Sequence, residues 1–128
     1  MNYIKTSKSK IIISSFQKQK IYKITINNYL DKKLSIYLTT LEGRMQAIKN
    51  KYHICKLIPI YIDNNLCLQP IFKITSERNI FVNIYNINKI IDYGNYSIVL
   101  FYDSEELILK MKSKTLKNKI KKALQISL

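Results

Sequence analysis

Apolar and polar residues alternate at a period of two along most of this chain, and that period limits the available folds more than any other feature. Strand side chains point to opposite faces in turn, so alternation marks a strand with one buried face. In "IYKITIN", Tyr22, Ile24 and Ile26 fall on one face while Lys23, Thr25 and Asn27 fall on the other. "KLSIYLTT" repeats the pattern with Leu34, Ile36 and Leu38, and the turn-prone Asn28 and Asp31 in between predict a hairpin. "HICKLIPIYI" and "LCLQPIFKI" predict a second hairpin about the "DNN" at 63–65. Pro59 and Pro70 cannot donate a ladder hydrogen bond and belong at strand edges, ends or bulges. "NIFVNIYNINKII", a turn at Gly94, "YSIVLFYD" and "LILKMK" supply the remaining strands.

The period changes at the end of the chain. In "SKTLKNKIKKALQISL", Leu116, Ile120, Ala123, Leu124 and Ser127 share one face of a predicted amphipathic helix. Ser113 or Thr115 would cap it. Its polar face carries Lys114, Lys117, Lys119, Lys121 and Lys122, with no acid among them. No βαβ rhythm is present, which argues against a parallel sheet. The expected fold is α+β and mostly antiparallel: a twisted sheet or split barrel of about seven strands with a C-terminal capping helix, pleckstrin-homology-like in outline. The length of 128 residues suits a single domain spanning 1–128.

The formal net charge is +14, which implies an anionic partner, nucleic acid or a membrane surface. Ile, Lys, Asn and Tyr, all encoded by A/T-rich codons, make up 66 of the 128 residues, so codon bias inflates the lysine count. The distribution of charge therefore says more than its sum. Arginine is confined to Arg44 and Arg78. Where a lysine-biased chain keeps only two arginines, those two are expected to do what lysine does not.

Little else in the sequence suggests chemistry. Most of the eight acids fall in predicted turns, and no two converge as an acid/base pair would. The single His53 has no nucleophile context, and there is no Walker loop or G-x-G-x-x-G. Cys55 and Cys67 do not make a disulfide framework and read as small hydrophobes. Together with His53 they fall short of a zinc ligand set. No enzyme activity, metal or cofactor is expected, and a nuclease of unfamiliar type is the weaker alternative. No apolar stretch approaches the ~20 residues of a membrane span. The apolar run at 11–13 is too short for a signal peptide, so the chain is expected to be intracellular.

The remaining signal is basic residues interleaved with aromatics and Asn. In "GRMQAIKNKYHICK", Arg44, Lys49, Lys51 and Lys56 surround a predicted turn and strand start. In "FKITSERNI", Lys73, Arg78 and Asn79 recur on a predicted loop. Solvated loop charge is the ordinary fate of such residues. The functional reading is phosphate contact by the lysines, with arginine entering a narrow A/T minor groove. Gly43 would then take a positive φ, or a close backbone approach, that projects Arg44; a plain turn glycine is the alternative.

The arrangement Gly43, Arg44 and Ala47, then Lys56, Pro59, Ile60 and Ile62, then Pro70, and then Ser76 and Arg78, resembles the ComK family of bacterial competence transcription factors. The resemblance runs over roughly residues 10–125 and is specific over 43–78. It implies a cytoplasmic, nucleoid-associated activator that recognises A/T-rich double-stranded DNA, mainly through the minor groove, as a multimer and without enzymatic activity. The chain departs from the family pattern in having "NIFVNI" where a Cys-x-Trp-Ile segment is usual, and it ends soon after the Lys-rich helix, which suggests a reduced, divergent member. A second function class stays open: a pleckstrin-homology-like module binding anionic lipid or a protein through the same basic face.

Overall fold

A computed structural model of the chain describes residues 1–73 and 78–126. Among these residues, nine strands form two antiparallel sheets, joined by three α-helices. Strands β1 (Tyr3–Thr6), β2 (Ile11–Ser15), β3 (Lys18–Tyr22), β4 (Ile60–Asp63), β5 (Leu66–Pro70) and β6 (Ile80–Asn83) make a six-stranded sheet in the order β3-β2-β1-β6-β5-β4. Strands β7 (Ile87–Asp92), β8 (Ser97–Phe101) and β9 (Glu106–Leu109) make a three-stranded meander. A 3-10 turn at Ile84–Asn86 carries the chain from one sheet to the other.

Strands β1, β4, β5 and β6 of the six-stranded sheet are largely buried on both faces, and they read accordingly. Ile4, Ile60, Ile62, Leu68 and Phe81 point to one side, where they meet Leu30 and Leu34. Their neighbours Tyr3, Tyr61, Cys67 and Val82 point to the other side. There they meet Val99, Phe101, Leu107 and Leu109 of the small sheet together with Leu116, Ile120 and Ala123. Consecutive strand residues thus serve two cores, which is why "IYI" and "IFV" run apolar without a break.

The antiparallel α+β class and the C-terminal helix stand as expected, and the hairpin at 63–65 is present, with Asp63 Oδ1 accepting from the Asn65 amide at 2.8 Å. Both prolines lie at strand ends, Pro70 closing β5 and Pro59 preceding β4. The hairpin expected over residues 21–40 is replaced by helix α1 (Ile26–Ser35). Ile26, Leu30 and Leu34 recur every four residues, and Leu30 and Leu34 are fully buried. The alternation that suggested a strand leaves Ile36 and Leu38 out in solvent, at 75% and 95% exposure. Burial of one helical stripe outweighs local strand propensity here.

Residues expected to form a turn and a strand start form helix α2 (Leu41–Tyr52) instead. Thr40 caps it by accepting from the Gly43 amide at 3.0 Å, and Glu42 in the first turn suits the positive end of the dipole. Gly43 therefore lies inside a helix and not at a positive-φ junction; Gly94, at φ 78°, is the glycine with that conformation. A close approach does exist at Gly43, since a Cβ there would sit 3.0 Å from Thr39 Oγ1. His53, left-handed at φ 57°, ends the helix and starts an irregular stretch through residue 59 where a strand was expected. The second strand of that hairpin was expected to reach Ile74, which lies outside the described residues.

Helix α3 (Ser113–Leu124) packs on β5 and β7 and buries Leu116, Ile120 and Ala123. Leu124 is 54% exposed rather than buried, and Ser127 lies outside the described residues. The N-cap is Lys112, with no side-chain cap bond, rather than Ser113 or Thr115.

Candidate nucleic-acid interface

Three separate segments supply one basic groove. The irregular stretch after α2 brings His53 and Lys56, the segment after β5 brings Lys73, and the outer face of α3 brings Lys119 and Lys122. Tyr52, Ile54, Cys55, Leu57, Pro59, Gln69 and Gln125 complete the walls, around a volume of about 960 Å³. Among the described residues, four lysines line it and no acid does. Charges of one sign facing a common concavity add their potentials there, and a phosphate backbone is the anion whose shape follows such a groove.

The groove is held in shape by a buried amide. Gln69 is 2% exposed, and its Nε2 donates to the Leu57 carbonyl at 3.1 Å and to the Pro70 carbonyl at 2.9 Å. This ties the irregular stretch to the end of β5 and fixes Lys56 relative to the sheet. Packing of Leu116 and Ile120 beneath α3 does the same for Lys119 and Lys122.

The expected site residues divide. Lys56 and Lys73 meet in the groove, whereas Lys49 lines a separate cleft between α1, α2 and the sheet. Lys51 is exposed on the last turn of α2, its Nζ 5.3 Å from the Tyr52 ring centre. Arg78 is exposed just beyond residues 74–77. Asn79 is not a solvent-facing loop residue. It is 5% exposed, and its Oδ1 accepts from the amides of Phe72 at 3.0 Å and Ile80 at 2.8 Å. Its Nδ2 donates to the Phe72 carbonyl at 3.0 Å. The carboxamide thus ties Phe72 to the start of β6.

Arg44 also departs from its expected setting. It lies on α2, half-buried, with its guanidinium carbon 5.8 Å from the Tyr37 ring centre and 5.9 Å from that of Tyr61. Its Nε is buried without a hydrogen-bond partner. Tyr37 donates to Asp63 Oδ2 at 2.9 Å and Tyr61 to Asn64 Oδ1 at 2.7 Å, so both rings are anchored to the β4–β5 turn. The planar cation thus bridges α2 to that turn, a task lysine performs less well.

Lys119 and Lys122 were visible in the sequence as part of an acid-free helix face, but nothing there linked α3 to residues 53–59. Cys55 is exposed, whereas Cys67 is buried and its thiol pushed up to about 12 by burial. Among the described residues no three His, Cys, Asp or Glu side chains gather as a metal site, and no helix is long and apolar enough to cross a membrane.

No curated protein matches the chain. No solved structure matches it either. The family model described as ComK protein matches residues 2–128, essentially the whole length. That match takes in the groove-lining residues as well as the stretch 43–78 that suggested it, and the chain belongs to the ComK family, one of DNA-binding competence transcription factors.

Proposed function

We propose that this member of the family activates transcription from A/T-rich sites, holding the phosphate backbone in the groove of Lys56, Lys73, Lys119 and Lys122. The observation that carries the reading is the meeting of four lysines from three segments, with no acid among the described lining residues. The apolar stripe of α3 is spent on the core, which favours DNA over insertion of that helix into a membrane. Arg78 is the candidate for entry into the minor groove, where A·T and T·A look alike and the guanine amine obstructs. Arg44, held between two rings, positions α2 instead. A cytoplasmic, nucleoid-associated location and assembly of several copies on DNA belong to the same reading.

The test is binding to A/T-rich and G/C-rich duplexes, and to anionic vesicles, at one fixed salt concentration. Replacing Lys56 and Lys122 together by alanine should weaken binding to both duplexes about equally, since phosphate contacts carry no sequence. Lys89→Ala, on β7, should leave it unchanged. Preference for vesicles over either duplex would sink the proposal.

A further inference from the structure

The turn between β2 and β3 is unusual. Ser15 pairs with Lys18, leaving the two-residue loop Phe16 and Gln17. Both residues have positive φ, 52° and 61°. Two-residue hairpin loops of this kind are ordinarily built from Asn and Gly, which accept the conformation; a phenylalanine does so only under strain. Its ring gains no burial in return, since Phe16 is 73% exposed. Strain of this sort persists where the surrounding structure over-determines it, and it gathers at functional sites.

The surroundings do hold it. The Phe16 amide donates to Asp103 Oδ2 at 3.0 Å. Asp103 is itself fixed by Asn2 Nδ2 at 2.7 Å and by the Glu105 amide at 2.9 Å, so its charge is engaged within the protein. Beyond this anchor, β3 is an edge strand exposed along its whole length, with Lys18 and Lys20 on one side of it. Six lysines and no acid precede Asp31 in the sequence. An exposed aromatic ring at the tip of a stiff, cationic hairpin suits a polyanion that also offers flat apolar surfaces, which is duplex DNA with its stacked bases.

We propose that Phe16 is a wedge that enters between base pairs of bound DNA from the minor groove, while Lys18 and Lys20 hold the flanking phosphates. Insertion of an apolar side chain at a base step unstacks it and bends the duplex away. Flexible pyrimidine–purine steps, TA above all, yield most readily, so the wedge would add its own preference within A/T-rich sequence. The inference rests on the DNA-binding reading above and deepens it.

The experiment uses the full chain and A/T-rich duplexes with 2-aminopurine placed at successive steps. Wild type should raise the fluorescence severalfold at one TA step, and that duplex should run as bent in a gel. Phe16→Asn suits the left-handed loop, so it should keep or raise the melting temperature of the protein. It should abolish the fluorescence rise and weaken binding about tenfold. Phe16→Leu should keep part of the signal. Wild-type binding with no fluorescence rise, or Phe16→Asn binding and bending like wild type, overturns the wedge and leaves the DNA reading standing. A Phe16→Asn variant that changes only the oligomeric state assigns the tip to a protein contact and also overturns it. Failure of wild type to bind any duplex removes both.

Discussion

Arg44 shows how one side chain is used. A guanidinium between two rings contributes roughly 0.5–2 kcal/mol per favourable cation–π contact, depending on desolvation. Arg44→Ala should therefore lower stability by about 1–3 kcal/mol, read from urea unfolding, with Arg44→Lys recovering only part. A reduced A/T preference in Arg44→Lys at unchanged stability would return the residue to the DNA interface. Cys67 provides a second test. Burial holds its thiol protonated up to about 12, against an ordinary thiol value of 9.0. A thiol-specific reagent at neutral pH should label Cys55 rapidly and Cys67 only on unfolding. Above pH 9 the unfolded chain loses this proton while the folded chain keeps it. The stability Cys67 contributes is thus whole below pH 9 and is lost as pH rises toward about 12. Equal labelling of both cysteines in the folded protein would show that the core around β5 opens.

At the scale of elements, helices α1 and α3 are stripes of apolar residues that need a sheet to lie on. Ile120→Asp places a charge without a partner against β5 and β7 and should cost several kcal/mol, on the order of 3–5, enough to unfold a marginal domain. Leu34→Ala should cost about 2–5 kcal/mol by leaving a cavity under α1. Leu38→Ser should stay within about 0.5 kcal/mol, because that side chain is in solvent. If Leu38→Ser were as damaging as Leu34→Ala, residues 34–38 would be the strand that their alternation suggests. The C-terminal helix was legible because its spacing has no competing strand reading. Residues 26–35 satisfy both periods in part: Leu34 belongs to the four-residue spacing and to the alternation with Ile36 and Leu38. Only the presence of a sheet face to cover decides between them.

Across the whole molecule, charge belongs to surfaces that several segments build together. Four groove lysines joined by those of the β2–β3 hairpin would displace about five or more counterions, giving a log–log salt slope near −4 to −5. Lys119→Ala with Lys122→Ala should make that slope shallower by about 2, and a slope unchanged by the pair would remove α3 from the interface. The sequence by itself determined the antiparallel class, the turns at 63–65 and Gly94, the basic C-terminal helix and, through residues 43–78, the family. Each of these follows from local spacing or from motif residues close together in the chain. The tertiary structure alone decided that α1 and α2 are helices, that Asn79 and Arg44 are used inside the molecule, and that Lys56, Lys73, Lys119 and Lys122 share a groove. The physical reason is that burial and electrostatic potential are set by neighbours in space: β1 lies beside β6, some 75 residues further along the chain, and that pairing creates the two faces on which the helices choose their places.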